Sequence, residues 1–131
     1  MERRLISAKL RGDLEVPVLG WITNVPGLLI TPCVTTHRVL ETYCITHEHS
    51  GQRICPHEFT SVDIAVMFVE QHHVRNFAHW NSSYGNLKKE LASEGTGIKV
   101  ARLTEFAEEF EEEIVQNPNT LFRRKGEDVR L

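Results

Sequence analysis

Apolar and polar positions change rhythm near residue 60. Before it, short runs rich in Val, Ile, Leu and Thr predict four strands, roughly Val16 to Thr23, Leu28 to Thr35, Val39 to Thr46 and Gln52 to Cys55. Val25-Pro26-Gly27 divides the first two as a turn, with proline at a favoured position and a glycine able to take positive φ. Pro17 and Pro32 each lack a ladder donor, so their strands should lie at an edge or carry a bulge there. After residue 60, the run TSVDIAVMFVEQHH predicts a helix capped by Thr60 or Ser61, with Asp63 in the first turn where the helix dipole favours an acid. On a helical wheel, Val62, Ile64, Ala65, Val66, Phe68 and Val69 leave only a narrow polar strip around Asp63 and Glu70. One sheet face cannot cover that much apolar surface, so later segments or a second subunit should bury the rest.

The remaining chain is less regular. His73 to Ser83 carries no clear period. Asn86 to Ser93 predicts a short helix stopped by the Gly95-Thr96-Gly97 turn, and Ile98 to Leu103 alternates as a further strand would. Thr104 then opens a second clear helix, EFAEEFEEEIVQN, which Pro118 ends. Residues 118–131 read as a loosely held tail. The expected fold is a single α+β domain over residues 1–131: an antiparallel sheet of four to five strands, a buried helix packed on it and a flanking acidic amphipathic helix.

Size and composition narrow the class. The 131 residues suit one domain, and a chain of that size needs neither disulfide nor metal to fold. A net charge of −3 argues against broad affinity for nucleic acid, while leaving room for a local basic patch. Three cysteines are an odd number, and MERRLISAKLRGD lacks the apolar core of an export signal, so the expected setting is cytoplasmic with reduced thiols. No run approaches the roughly 20 apolar residues of a membrane span.

Tyr43 to His57 gathers two cysteines and three histidines and so raises the question of a metal. Read as a hairpin, it best fits a three-residue loop, His49-Ser50-Gly51, with Gly51 left-handed. That register pairs Glu48 with Gln52, His47 with Arg53, Thr46 with Ile54 and Ile45 with Cys55, and it sends Cys44 and Cys55 to opposite faces. A two-residue loop would instead collect soft ligands on one face. The alternative is therefore a zinc site built from Cys44, His47, Cys55 and His57, against which stands the lack of paired Cys-x-x-Cys knuckles. The expectation is no metal and no cofactor.

Within the same region, Ile45-Thr46-His47, Ser50-Gly51, Ile54, Phe59, Ser61, Ala65 and Phe68 form a strand, a turn, a short strand and a Phe-x-Ser lead into a helix. This pattern resembles many small phage and mobile-element proteins. The resemblance implies a sheet with a helix laid across it, and it carries no activity and no catalytic residue.

Catalysis is the minority reading. Cys55-Pro56-His57 and the Cys33 to His37 interval bring a thiol near an imidazole in sequence, yet neither sits in a nucleophile context. Gly95-Thr96-Gly97 lacks the lysine and the frame of a phosphate loop. Basic residues gather at the two ends, with Arg3, Arg4, Lys9 and Arg11 at one and Arg123, Arg124, Lys125 and Arg130 at the other. A small nucleic-acid binder using Arg3, Arg4, Arg123, Arg124 and Lys125 is thus a second alternative, weighed against solvated termini.

The acidic helix is the most suggestive feature. Leu103, Phe106, Ala107, Phe110 and Ile114 form one apolar stripe, and Glu105, Glu108, Glu109, Glu111, Glu112 and Glu113 cover nearly everything else. Like charges four apart, as at Glu105 and Glu109 or Glu108 and Glu112, cost the helix stability. The leading expectation is a non-catalytic module that binds another protein through Glu105, Glu108, Glu109 and Glu112. Phage origin and inhibition of a nucleic-acid-handling host protein extend that expectation. Self-association is a further expectation, from the apolar surplus on the Thr60 helix.

Overall fold

The computed structural model describes residues 2–10, 14–35, 37–92 and 100–117. It is an α+β arrangement in which four antiparallel strands stand in sequence order: β1 (Arg3–Lys9), β2 (Glu15–Ile22), β3 (Leu28–Val34) and β4 (Val39–His47). Four helical segments follow among the described residues, α1 (Val62–Val69), α2 (His72–Arg75), α3 (Tyr84–Ala92) and α4 (Val100–Gln116). The expected 118–131 tail lies outside the described residues.

Both prolines mark where a ladder breaks. Pro17 pairs with Ser7 of β1, but β2 meets β3 only at Trp21 with Ile30 and Ile22 with Leu29. The proline half of β2 therefore leaves β3 and follows β1, as a residue without an N–H permits. In β3 the register with β4 shifts between Pro32 and Val34. The Val25-Pro26-Gly27 turn closes with Leu28 N–H on Val25 O at 3.1 Å, and Gly27 takes φ 95°. A side chain at Gly27 would run into the Trp80 backbone.

β1 and β2 curl over until β1 meets the turn that follows β4. Lys9 N–H donates to Gly51 O at 2.9 Å, and Arg4 pairs with Glu48. Gly51, at φ 74°, is the contact point, since a side chain there would strike the Ser7 carbonyl. The sheet thereby acquires two interiors. Leu28, Ile30 and Ile45 face the helices, with Phe59, Ile64, Ala65, Phe68, Val69, Trp80, Leu87, Leu103 and Phe110 packed over them. On the other side, within the curl, Ala8, Val18, Leu29, Cys33 and Cys44 are buried together with Thr31 and Thr46 and belong to no part of the helix-side core.

α1 begins at Ser61, whose side chain accepts from Ile64 N–H at 3.2 Å. Its apolar surface is covered from two sides. Strands β3 and β4 lie beneath it, and α4 lies alongside, with the Phe68 and Phe110 rings 5.7 Å apart. The surplus that raised the idea of a second subunit is thus met within the chain by α4. Phe59 extends the same aromatic chain, 5.6 Å from Phe68 and 4.6 Å from the His57 ring. Deleting one such buried ring costs about 3–5 kcal/mol.

Two strand expectations need correction. Gln52 to Cys55 is not a strand: it makes one isolated bridge, Thr46 with Arg53, before the chain turns away. Val100 to Leu103 opens α4 instead of forming a strand, because Leu103 continues the apolar stripe of Ala107, Phe110 and Ile114 into the core.

Candidate functional site

The turn after β4 differs from the three-residue loop expected. His47 N–H bonds Gln52 O at 2.8 Å and Gly51 N–H bonds His47 O at 2.8 Å, so Glu48 to Gly51 form the turn and Thr46 faces Arg53, one residue out of the expected register. Ser50 explains the extra residue: its hydroxyl accepts from Gln52 N–H at 3.2 Å and lies 2.7 Å from His47 Nδ1. The shifted register places Arg53 on the curl side beside Thr46 and Cys44. After Ile54 the chain leaves the ladder, and Cys55 joins the helix-side core while Cys44 does not. The two thiols lie in different interiors through this departure, not through the loop length.

The four residues weighed for zinc are dispersed. Cys44 faces the curl, and His47 follows it by three on the opposite face of β4. Cys55 packs under the helices, and His57 Nε2 bonds Glu111 Oε1 at 2.7 Å. Among the described residues no three metal-capable side chains meet. His47 is buried, and its Nε2 lacks a hydrogen-bond partner among the described residues. Burial holds its pKa below the ordinary histidine value, against the pull of the Ser82 and Trp80 backbone.

Neither thiol–imidazole pair raised by the sequence forms. His57 is engaged by Glu111, and His37 bonds Thr35 Oγ1 through its backbone N–H. Cys44 shares a small polar cluster in the curl with two threonines. Thr31 Oγ1 lies 3.4 Å from Cys44 Sγ and 2.8 Å from Thr46 Oγ1, and Thr46 Oγ1 lies 3.8 Å from Cys44 Sγ. The neighbouring Cys33 thiol pulls Cys44 down to about 6, against burial, with Thr31, the Arg53 charge and Thr46 adding to the pull. Cys44 and burial push Cys33 up. Cys55, away from these partners, is pushed up to about 11 by burial. No local pattern in the chain announces this cluster, because it depends on the pairing register of two strands.

α4 sorts its acids. Leu103, Ala107, Phe110 and Ile114 are buried, while Glu105, Glu108, Glu109 and Glu112 are exposed. Glu111 is the exception to the wet face read from the sequence, being only 6% exposed. It accepts from His57 at Oε1 and from both the Thr60 N–H (2.9 Å) and the Thr60 hydroxyl (2.5 Å) at Oε2, tying α4 to the lead-in of α1. A wheel does carry this signal: Glu111 follows Ala107 by four and precedes Ile114 by three, at the margin of the stripe. Among the described residues, no ion pair involves Glu105, Glu108, Glu109 or Glu112, and Glu112 accepts from Gln116 at 3.2 Å.

The basic residues of β1 are occupied. Arg3 lies over the Trp21 ring at 3.9 Å and donates to Leu19 O at 2.7 Å, and Arg4 pairs with Glu48. Arg123, Arg124 and Lys125 lie outside the described residues. An open groove of about 640 Å³ runs beside β1, with Arg4, Lys9, Glu15, Glu48, His49 and Tyr84 among its lining; its charges are mixed and already partly paired. No helix among the described residues is long and apolar enough to cross a membrane. No family model, curated protein or solved structure matches the chain.

Proposed function

We propose that the domain is a non-catalytic protein-binding module whose contact surface is the outer face of α4, with Glu105, Glu108, Glu109 and Glu112 as its charged centre. The observation that supports this reading is the sorting of acids along one helix. Glu111 is turned inward and held by three donors, which accounts for one carboxylate structurally. The other five acids of the helix, Glu105, Glu108, Glu109, Glu112 and Glu113, are exposed, at spacings that repel one another. A partner with a basic groove offsets that repulsion and would associate quickly at low salt. A phage or mobile-element origin makes the partner a host protein, and nucleic-acid-handling enzymes are the class whose basic grooves fit such a face.

The test is affinity capture from extract of the native host, comparing the wild-type chain with a variant carrying Glu105→Gln, Glu108→Gln, Glu109→Gln and Glu112→Gln. The expected result is a partner held by the wild type, released by salt, and not held by a variant that remains folded. Equal capture by both proteins, or no partner at any salt, overturns the reading.

A further inference from the structure

The turn after β4 is held from two sides, and a buried imidazole stands at its root. Toward β1, Lys9 N–H donates to Gly51 O at 2.9 Å and Arg4 pairs with Glu48. Toward the segment before α3, His49 Nε2 lies 2.5 Å from Asn81 Oδ1. His47 is fully buried, its Nδ1 2.7 Å from Ser50 Oγ and its ring 6.0 Å from the Tyr84 ring. Its Nε2 has no hydrogen-bond partner among the described residues. A neutral imidazole tolerates this arrangement, with Nδ1–H donating to Ser50 and a bare lone pair left at Nε2. A charged one carries N–H at both nitrogens, so a cationic donor would stand buried with no acceptor at hydrogen-bond distance among those residues. The surrounding groups do not offset such a charge. The turn offers Glu48, already engaged by Arg4, and the His49 ring 5.7 Å away, which repels when charged. β3 offers Leu28 as the cross-strand neighbour, and α3 offers Tyr84 with the Lys88 ammonium 5.6 Å from its ring. The Ser82 and Trp80 backbone favours the proton, but burial outweighs it and holds the ring below its ordinary pKa. Ser50, His49 and Tyr84 also line the open groove beside β1, so water reaches the hydroxyl that bonds the ring.

We propose that His47 is a proton-operated latch: when the ring takes up a proton, the Glu48–Gly51 turn leaves β1 and the curl opens along that seam, while the helix-side core stays closed. Two turn residues, His49 and Ser50, stand between the ring and the groove, so departure of the turn brings water to the charge. The same movement parts Lys9 from Gly51 and Arg4 from Glu48, the contacts that close β1 over the curl. Ala8, buried on β1 beside Gly51, then meets solvent. The Phe68 and Phe110 rings that join α1 to α4 take no part in these contacts. The latch is closed at neutral pH and opens on the acid side of about 6.5, the ordinary histidine value, because burial lowers the folded pKa. Its operation is independent of the binding surface on α4.

The experiment follows backbone hydrogen exchange of the full chain by NMR between about pH 7.5 and about pH 5.5, each amide expressed as a protection factor so that the intrinsic pH effect is removed. The Lys9 and Gly51 amides should lose protection on the order of tenfold for each pH unit below the His47 midpoint, while amides in α1 and α4 keep theirs. The His47 ring should titrate with the same midpoint as that loss. His47→Gln, which cannot charge, should hold Lys9 and Gly51 protected across the range, and His49→Gln should open as the wild type does. Unchanged protection at Lys9 and Gly51, an equal loss across all amides, or the same acid loss in His47→Gln overturns the proposal. So does a loss that His49→Gln abolishes. Should His47→Gln fail to fold, a shared midpoint for the ring and the Lys9 loss in the wild type supports the latch, and a mismatch overturns it.

Discussion

The two faces of the sheet enclose interiors of different kinds. Beneath the helices lie large rings and branched aliphatics, a continuous set from His57 through Phe59 and Phe68 to Phe110. Inside the curl lie Ala8, Val18 and Leu29 with two threonines and two thiols, and Thr31 bonds both Thr46 and Cys44. One face buries large rings, and the other combines fewer and smaller apolar side chains with hydroxyls that must find partners. A sheet that bends this far has little room on its concave side, which explains why Gly20 and Gly51 stand where a Cβ would crowd Ile30 and Thr31 or strike Ser7.

That contrast can be broken from the heavy side first. Phe68→Ala removes a ring at the meeting of α1, α4 and the sheet and should cost about 4 kcal/mol, measured by urea unfolding. Glu111→Ala comes next. It leaves His57 and two Thr60 donors unanswered in a closed site and should cost about 3 kcal/mol, whereas Glu109→Ala on the same helix should change stability by less than about 0.5 kcal/mol. Unequal costs for these two glutamates are what the sorting of acids on α4 requires.

Within the curl the effects should be smaller. Thr31→Val removes one hydroxyl from the Thr31–Thr46–Cys44 set and should cost about 1 kcal/mol. His47 supplies a pH dependence with a definite sign. Burial lowers its folded pKa, so below about pH 6.5 the unfolded chain binds more protons than the folded one. Its contribution is present above that pH and is lost as the pH falls toward the folded pKa. Urea midpoints followed downward from neutrality should therefore decline more steeply for the wild type than for His47→Gln.

Much of this architecture was legible because one-sided burial leaves a period in the chain. β2, β3 and β4 match the expected strands within a residue or two, and α1 starts at Ser61 as its cap chemistry indicates. β1 was missed for a physical reason. Leu5 and Ile6 are adjacent, and it is Ile6 and Ala8 that turn toward the curl while Leu5 stands 68% exposed, so RRLISAK shows no clean alternation. The turn register failed because Ser50 bridges His47 and Gln52 through its side chain, an effect that turn statistics on backbone angles do not contain. The polar cluster around Cys44 depends on the pairing register of two strands, so no local pattern announces it. The exposed acids of α4 were readable from composition, and Glu111 was readable only by giving its wheel position more weight than its charge.

The curl's polar lining is not what holds the fold together, a claim open to a double-mutant cycle in urea on Thr31→Val and Thr46→Val. If the claim is right, each single variant loses about 1 kcal/mol by stranding its partner, and the double variant returns to within about 0.5 kcal/mol of the wild type, since both hydroxyls are then replaced by methyls of the same shape. A double variant that loses the full sum of the two single costs would contradict it and would make the curl a structural core in its own right.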